Sequence, residues 1–341
     1  MIYLMLINKE VMQLNNTLTQ YRVLNEKLLP YALYYIKRST GFIEDIRLWI
    51  SNRFIYKNLA SYKSIMNSLN LDQRTQYRLN IVMQYHAASV TDGYWLRYSD
   101  DEQYKDVSLH KHKIKELVMD VALLRILSSL QLSDMHANVD LQGTFPKTWV
   151  RKRDGLNLYK TDTNNGINVY SELMANDILN QTDIVGCNYY PVDYKGNICT
   201  GSKCFTNNEV SLVTYSEYSV YCKTNRINSL SIFGHAFDKM CLFDYIIGNT
   251  DRHLDNFGVL VNNYNNRVEC IAPLYDFNIS MQVTKDLNNH LRTFLYKPTQ
   301  KPFLQSALDA LSRLNGQFNL DLDNIPDYVE QRIKILKASY K

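Results

Sequence analysis

The sequence contains no C-x-x-C pair. Its six cysteines, at 187, 199, 204, 222, 241 and 270, are scattered, so the paired spacing of a zinc site is absent and a reduced, cytoplasmic chain fits best. No stretch reaches the ~18 consecutive apolar residues of a membrane-spanning helix, and no membrane association is expected. The opening MIYLMLINKE has too short an apolar run for a signal peptide and lacks a basic flank. An excess of one charge is missing too. The formal net charge is +4 over 341 residues, which implies no polyelectrolyte partner. The densest basic run, KTWVRKRDG at 147–155, ends in an Asp-Gly turn signal and reads as a solvated hairpin tip, so direct nucleic-acid binding is not expected. Repeats and low-complexity tracts are lacking as well. What remains, 45% hydrophobic and 21% charged residues, is the composition of an ordinary globular protein with roughly two to three domains. Tyrosine is abundant, at 26 residues, and amphipathic packing is the one role composition assigns to it.

Residues 1–135 read as mostly helical. The segment 42–71 has a largely helical apolar spacing, and 75–89 and 112–130 continue it. The stretch 89–107 breaks the pattern and reads as loop or short strand. Near 140 the texture changes to short apolar runs around an Asp-Gly turn, a hairpin signal. A helix is expected over 167–181, strands in NYYPVDYKGNICTG and EVSLVTYSEYSV, and a long amphipathic helix over 227–247, where Leu230, Phe233, Phe237, Met240, Phe243 and Ile247 recur at steps of three and four. Gly248 caps that helix. A hairpin follows in FGVLVNNYNNRVECIA, and 300–341 is helical with a loop near DLDNIP. His110 and His112 lack a third metal ligand nearby. The boundary between the helical region and the rest falls between about 131 and 140.

The stretch IIGNTDRHLDNFGVL, residues 246–260, packs two Asn, two Asp, an Arg and a His between apolar runs. Asp251 and Asn256 stand five apart, the D-x-x-x-x-N spacing of a phosphoryl-transfer catalytic loop. One carboxylate can orient an acceptor hydroxyl and take its proton, which suits Asp251. A second carboxylate with an amide oxygen can hold Mg²⁺, a hard cation that takes oxygen ligands, which suits Asp276 and Asn256. The hairpin between them can fold Asp276 back beside Asn256, and Asp276-Phe277-Asn278 stands where kinases carry D-F-G. Upstream, the strand GLNLYKTD ends at Lys160, and Glu172, the one Glu between 160 and 208, lies on the following helix. That pair can position a nucleotide. LQGTFPK, 141–147, with its single glycine, Gly143, takes the place of a phosphate-covering loop. Taken singly, Lys160 reads as a surface lysine, Glu172 as a solvated helix residue, Asp276 as a turn residue and His253 as a core histidine. Their order carries the weight.

These residues resemble a family. IIGNTDRHLDNFGVL and IAPLYDFNISM resemble the C-terminal lobe of HipA-like protein kinases of bacterial toxin–antitoxin systems. LQGTFPKTWVRKRDGLNLYKTD and YSELMANDIL are similar to that family's phosphate loop, nucleotide lysine and following helix, and SVTDGYWLRYSDDEQYKDVSL, 89–109, resembles a segment that precedes the kinase domain in some bacterial members. The resemblance implies an α+β, two-lobed protein-kinase-like fold preceded by a mostly α-helical region: 1–135 the helical region, 136–222 the N-lobe and hinge, 223–341 the helical C-lobe. It implies phosphorylation of Ser or Thr in a protein with ATP and Mg²⁺. Asp251 becomes the catalytic base and His253 its supporting residue. Gly143, Lys160 and Glu172 serve ATP binding, and Asn256 and Asp276 serve the metal. Residues 1–88 depart from the antitoxin-binding subdomain of toxin members, so no HipB-like partner is expected. The phosphate loop has Thr144 and Thr148 and no Ser, which leaves self-phosphorylation an open hypothesis. DRHLDN also fits the D-R-H-x-x-N of phosphoinositide-type lipid kinases, though no basic amphipathic helix stands out. A non-catalytic nucleotide-binding pseudokinase is the third reading, and the complete Lys, Asp, Asn, Asp set argues against it.

Overall fold

A computed structural model describes residues 1–38, 42–71, 78–162, 165–281, 291–292 and 301–340. The chain opens with strands β1 (Ile2–Leu6) and β2 (Lys9–Leu14), joined by a two-residue turn; β3 (Tyr21–Val23) pairs with β2, and β4 (Tyr94–Arg97) later closes on β1, giving the antiparallel order β3-β2-β1-β4. This sheet corrects the helical expectation for the first residues. β1 is central and buried at four of its five positions, so it reads as an unbroken apolar run without alternation, which periodicity cannot tell from a buried helix.

The expected helices of this region form in shorter pieces: α1 (Ile43–Ser51), α2 (Tyr62–Ser68) and α3 (Arg78–Gln84), then α4 (Tyr104–Val107), α5 (Glu116–Met119) and α6 (Leu132–Met135). After α5 a single π turn, Asp120–Leu124, ends at Arg125 with φ 59°, which stops the helix well short of residue 130. The sheet and these helices share one apolar core that runs from Ile2 to Leu141 and takes in Leu156.

The hairpin expected near 150 is β5 (Lys147–Lys152) and β6 (Gly155–Lys160). It is followed by α7 (Ile167–Leu179) and a second hairpin, β7 (Tyr189–Tyr194) and β8 (Asn197–Lys203), in the sheet order β5-β6-β8-β7. The segment 209–220, read as strand throughout, is half helix: β9 (Val210–Thr214) runs directly into α8 (Tyr215–Asn225). The junction is a capping box. The Thr214 side chain accepts from the Glu217 backbone while the Glu217 carboxylate accepts from the Thr214 N–H.

The long helix α9 (His235–Ile247) begins after Gly234, later than its apolar spacing implies. Every residue from Met240 to Ile247 is buried, so this is a central helix enclosed on all sides rather than an amphipathic surface helix. It ends at Gly248, whose φ of 65° is left-handed and whose missing Cβ leaves room for the Arg332 guanidinium. β10 (Gly258–Asn262) and β11 (Arg267–Ile271) follow, in the order β11-β10-β9, and α10 (Phe303–Arg313) and α11 (Asp327–Ser339) pack on α9.

Tyrosine packing joins this N-terminal core to a second one built around α9. Tyr31 and Tyr34 lie against Tyr221 of α8 with ring centroids 4.8 and 4.6 Å apart, and the Tyr31 hydroxyl donates to the Asn266 carbonyl at 3.0 Å. The Asn266 amide in turn donates to the carbonyls of Lys27 and Leu29. The Tyr31 hydroxyl is thus buried yet bonded, the combination that suits tyrosine to interfaces.

Candidate functional site

The site is assembled where β6, α7 and the segment after β11 meet. Lys160 is the last residue of β6, and its side chain is 8% exposed. Its Nζ donates to Glu172 Oε1 at 2.9 Å and to Asp276 Oδ1 at 3.0 Å. α7 presents Glu172 on its buried face, and the other Glu172 oxygen accepts from Thr200 Oγ1 at 2.6 Å, so the carboxylate is held from two sides. Burial works against the Lys160 charge, but Asp276 and Glu172 outweigh it and hold the ammonium protonated well above the usual lysine range. Burial likewise opposes the Asp276 charge, and the ammonium groups of Lys160 and Lys147 overcome it, holding that carboxyl far below its usual range. Asp276 has φ 64°, and its N–H donates to the Tyr189 hydroxyl at 3.0 Å.

The catalytic-loop candidate, 249–256, is organised by Arg252. This side chain is fully buried beside Asp244 of α9, with Nη2 3.1 Å from Asp244 Oδ1. Its Nη1 donates to the carbonyl of Asn256 at 2.7 Å and to that of Tyr275 at 2.5 Å. One guanidinium nitrogen therefore ties the end of the loop to the residue before Asp276, which brings Asn256 and Asp276 to one place. The Asn256 amide donates to the Asp251 carbonyl at 3.1 Å, leaving its oxygen as the acceptor. Asp251 sits at the solvent edge. Partial burial raises its carboxyl pKa above the usual range and the Asp276 charge adds to this, while His253 and Arg252 pull the other way. Breaking a buried pair leaves the surviving charge uncompensated. Arg252→Met is accordingly expected to lower unfolding free energy by about 3–5 kcal/mol in urea titrations; an unchanged midpoint would contradict this organising role.

His253 lies at the surface. Its Nδ1 accepts the Asp255 N–H at 3.3 Å, and its side chain is 51% exposed. The support it gives the loop is local, so His253→Ala is expected to lower turnover less than about tenfold, a loss of one exposed hydrogen bond. A loss of 100-fold or more in steady-state kinetics would assign it a larger role.

One residue of the site was misread from the sequence. Lys147, read as part of a solvated hairpin, is 7% exposed and pairs in register directly opposite Lys160. Its ammonium packs under Gly143, 2.6 Å from where a Cβ would stand, and its pKa is pushed down to about 8, first by burial and then by Lys160. The site thus holds a second cation. Of the two loop threonines, Thr148 is buried with its hydroxyl donated to Asn138 at 3.1 Å, while Thr144 is exposed.

The donor set fits magnesium. No cluster of three His, Cys, Asp or Glu side chains gathers among the described residues. Asn256 and Asp276 would supply two hard oxygens, leaving the other positions to phosphate and water, which is how Mg²⁺ is usually held. His110 and His112 form no such cluster; His112 stacks on His136 with centroids 4.5 Å apart.

No family model and no curated protein matches the sequence. Among solved structures, the chain is similar to one in the HipA, HipB and operator DNA complex of the Shewanella oneidensis MR-1 toxin–antitoxin system, with a TM-score of 0.54 and 12% identity over 99% of this chain and 91% of that one. It also overlaps the Helicobacter pylori proinflammatory kinase CtkA, with a TM-score of 0.40 and 17% identity over 57% of this chain and 90% of that one. The overlap with the Shewanella chain takes in strands β1 to β3 and helices α1 to α3, where the sequence alone shows no likeness. With strand lysine, helix glutamate and post-hairpin aspartate joined by two ion pairs on this scaffold, the chain has a HipA-like kinase fold.

Proposed function

We propose that this protein is an ATP- and magnesium-dependent kinase that transfers the γ-phosphoryl group to a Ser or Thr hydroxyl of a protein. The observation that carries the reading is the Lys160 ammonium held between Glu172 and Asp276 at 2.9 and 3.0 Å. Lys160 is thereby fixed and charged at the position where, on this reading, it would meet nucleotide phosphates, with Lys147 under Gly143 beside it. Asp251 orients the acceptor hydroxyl and receives its proton, while the hydroxyl oxygen bonds to the γ-phosphorus and the bond to the β-bridging oxygen breaks, releasing ADP. A carboxyl pKa raised from the usual range makes Asp251 a better proton acceptor than an ordinary surface aspartate. Mg²⁺, bound through Asn256 and Asp276, would neutralise phosphate charge. All six cysteines are free thiols, in keeping with a reduced, cytoplasmic setting. Among the described residues no helix is long and apolar enough to cross a membrane.

The test is incubation of the purified protein with labelled ATP, with and without Mg²⁺, in a bacterial lysate, followed by phosphosite mapping. Mg²⁺-dependent label on Ser or Thr of a protein is expected. Label in lipid instead would move the activity to the lipid-kinase class, and ATP binding without transfer would make the chain a pseudokinase.

A further inference from the structure

The phosphate-covering loop is gripped from outside by the N-terminal unit. The Tyr56 N–H donates to the Leu141 carbonyl and the Ala60 N–H to the Thr144 carbonyl, each at 2.8 Å. The Gln142 side-chain amide donates to the carbonyls of Asn52 and Phe54 at 3.2 and 3.1 Å and to the Asp140 carboxylate. Leu141 is 1% exposed within the N-terminal core. The gripping segment is itself anchored. Arg53, 7% exposed, makes a bidentate pair with Asp92 at 2.7 Å to each oxygen and donates Nε to the Ala87 carbonyl.

On its inner side the same loop touches the site. Phe145 lines a narrow crevice with Lys160, Glu172 and Asn278, and the Lys147 ammonium fills the space under Gly143, whose φ is 88°. The loop is therefore a thin layer between a fixed wall and the cleft. It cannot lift without breaking its hydrogen bonds to residues 52–60.

We infer that the segment Asn52–Ala60 is a brace that sets the height of the phosphate loop over the cleft, with Gln142 as the positioning residue for ATP. This gives the N-terminal unit a task within the kinase. The inference rests on the proposed ATP-dependent function. By linkage, a brace that holds the loop in its ATP-binding position is strengthened by ATP to the same degree.

Gln142→Ala and Gln142→Glu are tested as full-length proteins beside the parent. Calorimetry gives the Kd for ATP with Mg²⁺, steady-state assays give KM and kcat, and thermal melting reports the fold. Gln142→Ala is expected to raise Kd and KM for ATP about tenfold, the scale of losing two hydrogen bonds, with kcat within about threefold and Tm nearly unchanged. Gln142→Glu should be worse, because its carboxylate faces two carbonyls and Asp140. In the parent protein, hydrogen exchange at the amides of Tyr56 and Ala60 should slow at saturating ATP, a readout that stands even where a variant fails to fold. A parent that binds ATP while both variants bind it equally well, or amides indifferent to ATP, overturns the brace and leaves the kinase reading intact. A parent that binds no ATP overturns both.

Discussion

Asp251→Asn is expected to lower kcat by about 10²–10⁴-fold, the scale of losing general-base help, with the melting temperature unchanged. The substitution is isosteric and removes only the proton acceptor. Among the described residues no hydrogen bond or ion pair holds the carboxylate: the Asp251 carbonyl accepts the Asn256 amide, and its N–H donates to Asn249 Oδ1 at 3.1 Å, and both bonds survive the change. A loss of stability therefore cannot stand in for a loss of chemistry. The pH dependence supplies an independent check. Partial burial and the nearby Asp276 charge raise the Asp251 pKa, and the base works only when ionised. The rate should therefore fall on acidification through a pKa above the ~3.9 of an unperturbed aspartate. Measuring kcat against pH in the parent and in Asp251→Asn tests both points, and near-normal turnover in the variant removes Asp251 from the base role.

The parts of the site that were legible in the sequence were fixed by local rules. A strand ending in Lys160, a helix carrying Glu172, a Gly248 stop and a hairpin leading to Asp276 each follow from short-range patterns, and their order limits how the chain can close. What stayed hidden depends on register and tertiary contact. Lys147 looks like one of several exposed cations until β5 and β6 are aligned and it falls directly opposite Lys160. Arg252 could not be valued until Asp244, across the αL turn at Gly248, was seen to meet it in the core. The N-terminal sheet was missed because β1 is enclosed and shows no alternation. The Thr214–Glu217 capping box, in contrast, was a readable signal for the start of α8, since a Thr followed three residues later by Glu marks a helix start.

Asp276→Ala is expected to abolish the dependence of ATP binding on Mg²⁺: calorimetric affinities with and without the metal should become equal. Asp276 is held ionised by Lys160 and Lys147, so it offers a full negative charge and hard oxygens at the place where Asn256 is tied in by Arg252. Removing it leaves one neutral amide oxygen, which is a weak ligand for magnesium. The fold should tolerate the loss better than that of most buried charges. Lys160 retains Glu172 at 2.9 Å, so the lysine is not orphaned, and the Asp276 N–H that donates to Tyr189 belongs to the backbone. The surplus positive charge falls on Lys147, whose pKa of about 8 is already supported by Asp276 and should drop further, so the variant should shed a proton near neutral pH that the parent keeps. Asp276→Asn separates the two consequences, since it keeps the shape while removing the charge. If Mg²⁺ still tightens ATP binding to Asp276→Ala as it does in the parent, the metal is held elsewhere, and the contact between Lys160 and Asp276 is a structural ion pair rather than part of a nucleotide site.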